Sequence, residues 1–444
     1  MARPGSDPDR KPPLGEPGRY VVRGNDWSAL DHVRPAQPPT VSVVVPHYRA
    51  QAQLDLVLAG LAAQTHPATR LQVVVADDGS PSPPVVGSGV VVVRQEDRGF
   101  RAAAARNLGA RAADGDVLLF VDGDTVPEPT YVEELAALPA LVPDALVTGR
   151  RRHADLAGWT PERLLAWFAG GPAPAELTEP AWLRSAGSLL DADDRSYRFV
   201  ISAVMGTTRA LFDEVGGFDE TFDGYGGEDW ELAHRLLTAG AVLAHRERAV
   251  AWHDGPDWGL RGDDPVAARR EKNAETRSLT RLLPDPAARG VGGWWRHPDV
   301  VARLAPGADV DATVLGVRSL LAAGLDLQVW GVDPELLDGD PRVHAGEPPA
   351  PVLARCRTQV TQSGPLLWSS GEVARLADLV RPGGVGRVLG QVEGVAVEIA
   401  ATRALRRCAR SGVDMSTLFG EARVDMSASA PGPHPDLAHH LPQL

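Results

Sequence analysis

Apolar residues recur along this chain in two rhythms. Short unbroken runs come first: VSVVVP (Val41–Pro46), the head of LQVVVADDGS (Leu71–Ser80), Val90–Val93 and VLLFV (Val117–Val121). Runs of this length without polar interruption fit strands buried on both faces of a parallel sheet. Between them Leu54, Leu58 and Leu61 recur at helical spacing within Gln51–Thr65, and Gly99–Ala113 is an Ala- and Arg-rich helix. Strand, helix and strand in alternation predict a parallel α/β sheet. Pro127 and Pro129 mark a loop and then a helix start. Residues 151–200 are less regular, with Trp159, Trp167, Trp182 and a Gly/Pro/Ala-rich loop at Gly170–Ala175. Order returns at Phe199, and Glu228–Ala239 reads as a helix with Leu232, Leu236 and Ala239 on its apolar face and Gly240 as its stop. A strand is expected over Ala249–His253, followed by a polar stretch holding Trp258, Trp294 and Trp295.

Beyond residue 300 the rhythm repeats on a smaller scale. Helices are expected over Thr313–Ala323, Glu372–Val380 and Ala400–Ala409, with strands at Leu325–Val332 and Val395–Ile399. The segment LAAGLDLQVWGVD, near 321–333, echoes LAAQTHPATRLQVVVADD in the first part, as a degenerate repeat would and as any strand–helix–strand unit can by chance. Residues 1–39 are rich in Pro, Gly and Arg and predict a mobile arm, and residues 431–444 a frayed tail.

Composition narrows the class. A chain of 444 residues is long enough for two or three domains, and 43% apolar with 23% charged residues is ordinary for a globular protein. A formal net charge of −13 argues against nucleic-acid or anionic-membrane partners. Lys11 and Lys272 are the only lysines, so arginine supplies nearly all the positive charge. Cys356 and Cys408 alone make neither a disulfide framework nor a cysteine metal site. The first twenty residues lack the apolar core of a signal peptide, and no apolar run approaches the roughly 18–20 residues of a membrane span. A soluble cytoplasmic protein is the default expectation.

Five strand or helix ends carry chemistry. VLLFV runs into Asp122-Gly123-Asp124, which places two acids at the carboxyl end of a buried strand, where open α/β sheets bind ligands. Such a pair can hold a divalent cation through oxygen, or merely end a strand in a polar turn. Asp77 and Asp78 end the neighbouring strand, where a carboxylate can accept from a nucleobase N–H or cap a turn. Pro46, His47 and Tyr48 end the first strand, and Tyr48 is placed to stack on a base or to pack. Arg106 suits phosphate through forked hydrogen bonds, whereas Arg98 and Arg101 read as a solvated face. Glu228 and Asp229 follow Gly226 and Gly227 at a helix start, where acids also serve as caps. Trp230 beside them is either a sugar platform or core, and His253 ends a strand as a structural residue or a ligand. Rival motifs fail on context. Gly384–Gly390 lacks both the preceding strand and the third glycine of a dinucleotide fingerprint, and there is no P-loop or HExxH. A glycosidase would use two carboxylates without needing the strand-end DGD or the ADDGS turn.

VSVVVPHYRA, VVVADDGS, RGFRAAAARNLGA, VLLFVDGD and GGFDETFDGYGGEDWELAHRL, in that order over about residues 40–255, resemble glycosyltransferase family 2. The resemblance implies a GT-A fold, a mostly parallel sheet flanked by helices, with the smaller C-terminal α/β unit outside the match. It also implies inverting transfer of a sugar from a nucleoside diphosphate sugar to an acceptor hydroxyl. On it, residues 40–150 are the nucleotide-sugar half, 151–285 the acceptor half and 286–430 an appendage that orients the acceptor, tethers a partner or mediates self-association. It makes Asp124 a ligand of Mn2+ or Mg2+, with Asp122 on the ribose or a metal-bound water and His253 a candidate further ligand. One of Asp77 and Asp78 falls on the nucleobase, with Pro46 and Tyr48 nearby, and Arg106 faces the donor. Asp229 becomes the general base, Glu228 its neighbour on the acceptor, and Gly227 and Trp230 part of the acceptor site. Family frequency favours a UDP-sugar and leaves GDP- and dTDP-sugars open; the acceptor is not legible. The competing reading is a non-catalytic scaffold or nucleotide-sugar-binding protein acting through a partner.

Overall fold

A computed structural model describes residues 12–180, 187–256, 265–285, 289, 295–305, 307 and 309–440. Lys11, Trp182, Trp258 and Trp294 lie outside the described residues. The chain divides into two compact units. The first is Met1–Ala192, Ser196–Leu236 and Ala241–Thr276; the second is Asp193–Arg195, Leu237–Gly240 and Arg277–Leu444.

In the first unit the unbroken apolar runs become its central strands. They are β1 (Val41–His47), β2 (Leu71–Asp77), β3 (Val90–Arg94) and β4 (Val117–Val121), with α1 (Gln51–Ala62) and α2 (Ala102–Arg111) between them. Val43, Val44, Leu119 and Phe120 are wholly buried, as residues covered on both faces must be. Then follow β5 (Thr125–Pro127), α3 (Tyr131–Leu141), β6 (Ala145–Asp155), α4 (Pro161–Phe168), β7 (Ala175–Leu177), β8 (Val204–Thr208), α5 (Arg209–Glu214), α6 (Glu228–Thr238), β9 (Val242–Asp254) and α7 (Pro265–Leu282). The sheet order is β3-β2-β1-β4-β8-β6-β9-β5, with β7 on β6. From β3 to β4 every pairing is parallel. β8 then runs antiparallel to both β4 and β6, and β5 antiparallel to β9, so the outer part of the sheet is mixed.

One expectation fails at the N-terminus. Residues 12–39 are not a mobile arm: Val22, Trp27 and Leu30 are buried in the core. The Tyr20 amide donates to the Leu141 carbonyl, and the Asn25 side chain donates to the carbonyls of Leu189 and Leu243. Pro and Gly limit regular structure there to a 3-10 turn at Ser28–Leu30 and a Leu14–Val21 bridge, but three well-placed apolar side chains suffice to dock the segment. At the other end, Leu437–His440 forms a short helix, and the His434 amide donates to Asp309 at 2.8 Å, so residues 431–440 are not simply frayed.

The second unit is also α/β. It contains β10 (Val300–Leu304), α8 (Val310–Leu321), β11 (Leu327–Trp330), β12 (Val343–His344), β13 (Thr358–Gln362), β14 (Leu367–Trp368), α9 (Glu372–Leu379), β15 (Arg387–Val392), β16 (Val395–Ala401), α10 (Thr402–Ser411), β17 (Glu421–Arg423) and β18 (Ala428–Ser429). Its main sheet runs β12-β11-β10-β13-β16-β15-β17, with β12 through β13 parallel and β16 antiparallel to both neighbours. Counted within each unit, both sheets begin with the same parallel order, third-second-first-fourth strand.

Candidate active site

Buried β4 delivers Asp122 and Asp124 to its carboxyl end, and the next three residues form β5, which pairs with β9 so that Thr125 lies opposite His253. That register brings His253 to the DGD. Its Nδ1 lies 3.3 Å from Asp124 Oδ1, and the Asp254 amide donates to the Asp124 carbonyl. Gly123 is needed because a Cβ there would come within 2.8 Å of the Pro46 carbonyl oxygen. His153, which the sequence reading passed over, is the direct neighbour of His253 across the parallel β6–β9 pairing. The two rings meet edge to face at 5.2 Å, and His153 Nδ1 lies 3.1 Å from the Gly255 carbonyl. A histidine at a strand end facing another across the sheet was the available signal, but β6 itself was not expected.

Asp122 turns the other way. Arg106 on α2 is almost wholly buried and donates to Asp122 Oδ1 at 2.7 Å and to Glu228 Oε1 at 2.8 Å. Burial opposes the guanidinium charge, but the two carboxylates outweigh it and hold Arg106 above its ordinary range. Arg106 is therefore committed to two acids rather than open to a phosphate, which corrects its expected role. It ties the end of β4 to the start of α6. Below it Phe218 faces the guanidinium at 5.5 Å, and Phe120, Phe212 and Phe218 form an aromatic cluster under the strand end. Asn107 fixes the same segment, donating to the Phe218 carbonyl and accepting from the Phe218 amide.

Gly226 and Gly227 both adopt positive φ, 89° and 92°, and turn the chain into α6. A Cβ on Gly226 would also come within 3.1 Å of the Glu275 carboxylate. Asp229 in the first turn accepts from the Trp230 amide at 2.8 Å and the Ser202 amide at 3.4 Å. Burial first, and the Glu228 charge second, push its carboxyl up to about 7, against the lowering pull of Arg106 and the two amides. Glu228 keeps its Oε2 buried without a hydrogen-bond partner. Trp230 meets Tyr197 edge to face at 6.2 Å, and Lys272 of α7 sits over its ring at 5.4 Å while pairing with Glu275 at 2.8 Å. The tryptophan is half-buried, part platform and part packing.

At the end of β2 the two acids separate. Asp77 is fully buried, accepts from the Ser80 amide and hydroxyl, and pairs with Arg94 at 3.1 Å. It is a turn cap, not a base contact. Asp78 accepts from Gln95 at 2.5 Å and from the Arg101 amide at 2.8 Å, and holds the β3–α2 loop. Pro46 is half-buried and Tyr48 is 42% exposed, with its hydroxyl donating to Asp97 and Arg49 over its ring at 4.7 Å. The structure leaves that ring open to a ligand.

Among the described residues, no three His, Cys, Asp or Glu groups cluster closely enough to hold a metal by themselves. Asp124 and His253 remain a two-group donor set, and Asp122 is held away by Arg106. One carboxylate and one imidazole suit a divalent cation that takes its other ligands from substrate phosphates and water.

A sequence profile for glycosyl transferase family 2 matches residues 42–213, and one described as the N-terminal domain of galactosyltransferase matches residues 190–249. Validoxylamine A glucosyltransferase of Streptomyces hygroscopicus subsp. limoneus is 35% identical over 228 residues, covering 46% of this chain and 49% of that protein. Hyaluronan synthase of Pasteurella multocida is 28% identical over 240 residues, covering 49% and 24%. The solved structure of GalNAc-T7 with UDP, GalNAc and Mn2+ has a TM-score of 0.41 at 16% identity, over 58% of this chain and 53% of that one. The chain spans about half or less of the length of these two curated relatives. The glycosyl transferase family 2 match thus takes in the DGD strand end at Asp122–Asp124, and the galactosyltransferase-domain match takes in Glu228 and Asp229.

Proposed function

We propose that this chain is an inverting glycosyltransferase that moves a sugar from a nucleoside diphosphate sugar, a UDP-sugar by preference, to an acceptor hydroxyl. The observation that carries the reading is the buried Arg106 bridge. One guanidinium holds Asp122 of the donor motif and Glu228 of the acceptor motif, so the strand-end and helix-start acids lie within the reach of one side chain. The family-model match over residues 42–213 and the glycosyltransferase relatives support it.

Asp229 takes the proton of the acceptor hydroxyl as that oxygen bonds to the sugar's anomeric carbon. The bond from that carbon to the diphosphate breaks, and the nucleoside diphosphate leaves with the electron pair. A carboxyl near 7 is matched to this task at neutral pH. Glu228 keeps Asp229 basic by its charge, and Arg106 positions Glu228 and Asp122. Tyr48 stacks on the base and Asp78 is its candidate polar contact, while Trp230 and Gly227 border the acceptor. Asp124 and His253 would hold Mn2+ or Mg2+, which neutralises the departing diphosphate when bound.

The test is a pair of variants. Asp229→Asn should leave UDP affinity in the presence of manganese unchanged and reduce turnover by at least a hundredfold, the usual scale for loss of an acid–base group. Asp124→Ala should weaken UDP binding only when manganese is present. Near-normal turnover by Asp229→Asn sinks the base assignment. No release of nucleoside diphosphate from any sugar nucleotide would favour the scaffold reading.

A further inference from the structure

The start of α6 already holds a cation that the chain itself supplies. Helix α7 lies outside both family-model matches, yet it lays the Lys272 ammonium over the Trp230 ring at 5.4 Å. The same ammonium pairs with Glu275 at 2.8 Å. Glu275 in turn lies against the turn into α6, since a Cβ on Gly226 would come within 3.1 Å of its carboxylate. Tyr197 braces the indole edge to face at 6.2 Å. An aromatic face beside a carboxylate is chemistry that binds an ammonium group. Here the occupant is Lys272, one of two lysines among 45 Lys and Arg residues. Its head is a compact ammonium, the same group that a ligand amine presents, and not a planar guanidinium.

Two features point to exchange of this ammonium for a ligand's. The first is the difference in burial across the ion pair. The Lys272 side chain is 49% exposed, so its head can turn to water, whereas Glu275 is only 10% exposed and stays behind. A neutral ligand displacing Lys272 would strand a largely buried carboxylate without its cation, which is costly. A ligand ammonium replaces that charge one for one. The second feature is Glu228, whose side chain is 9% exposed. Its Oε1 accepts from Arg106, but its Oε2 is buried and accepts from no donor. A ligand N–H or O–H at the start of α6 supplies the donor that this oxygen calls for. An anionic ligand is disfavoured, because Asp122, Glu228, Asp229 and Glu275 share only Arg106 and Lys272 among the described residues here.

Resting on the reading of this helix start as the acceptor site, we propose that the acceptor carries an ammonium group, as an amino sugar does. That group takes the place of Lys272 on Trp230 and Glu275, while a hydroxyl of the same acceptor is presented to Asp229. Lys272 and Glu275 are then specificity-determining residues, and both lie outside the family-model matches.

Calorimetric titration of the full chain tests this. Glucosamine, galactosamine and 6-amino-6-deoxyglucose are titrated, each beside its N-acetyl derivative, which keeps the ring and removes the charge. At least one amine should bind tenfold more tightly than its amide. Lys272→Ala removes the internal competitor, so it should tighten that amine at least threefold and leave the amide unchanged. Glu275→Gln should abolish the preference for amine over amide without changing the melting temperature. Trp230→Leu should reduce the preference and stands in if Glu275→Gln misfolds. The proposal is overturned if no amine outbinds its amide, or if the preference survives intact in the folded Glu275 or Trp230 variant. Weaker amine binding by Lys272→Ala overturns it too, because the lysine would then be a partner of the ligand and not its stand-in. Each titration is run with and without UDP and manganese, so failure of UDP to bind counts against the proposed donor alone.

Discussion

Two side chains decide how the candidate site responds to change. Asp229 must be deprotonated to take a proton, and burial with Glu228 beside it sets its carboxyl near 7. Turnover should therefore rise with pH through about 7 and level off above it. Glu228→Gln removes a charge that raises Asp229, so the midpoint of that rise should move to lower pH in initial-rate profiles, and a midpoint that stays put would refute the coupling. Arg106 acts in the opposite sense on the same carboxyl. Arg106→Met strands Asp122 and Glu228 without their shared cation, and breaking a buried ion pair from one side destabilises by about 3–5 kcal/mol. Urea unfolding measures this, and a loss below about 1 kcal/mol would show that water satisfies both acids.

At the level of elements, the parallel half of the first sheet was legible because an unbroken apolar run has few alternatives. Val117–Val121 and Val41–His47 are strands within a residue of where their sequences place them. The mixed half was legible only at the end of β9, where a strand was expected over Ala249–His253. β6 reads ALVTGRRRHAD, and three consecutive arginines hide a strand whose register shifts at Gly149/Arg150. Its side chains find partners that no local pattern announces: Arg152 lies 4.1 Å over the Trp252 ring and pairs with Glu176. Asp77 and Arg106 illustrate the same limit at the site. Residue type and spacing placed Asp77 at the right strand end and Arg106 on the right helix, but their partners, Arg94 for one and the Asp122–Glu228 pair for the other, come from tertiary approach. The turn into α6 is readable, because consecutive glycines mark a conformation that other residues resist. Gly226→Ala should destabilise by about 1–2 kcal/mol through its positive φ alone. It should also lower kcat by displacing Asp229, and a variant with wild-type stability and rate would show that the turn tolerates a side chain.

For the molecule as a whole, the N-terminal segment belongs to the first unit's core. Trp27 is 3% exposed and packs under Arg246 at 5.7 Å. Trp27→Ala should destabilise by about 3–5 kcal/mol, the range for truncating a buried aromatic. Thermal denaturation checks this, and an unchanged midpoint would return the segment to the status of an arm. No helix among the described residues is long and apolar enough to cross a membrane.

The lysine pattern has a practical consequence. Of the two lysines in 444 residues, Lys272 sits half-exposed against the Trp230 ring, beside the helix that carries Asp229. An amine-reactive dye applied to this chain therefore has few places to go, and one of them borders the proposed acceptor site. Its quenching by the neighbouring indole would turn Lys272 into a built-in fluorescence reporter, able to register an acceptor displacing it without any engineered cysteine.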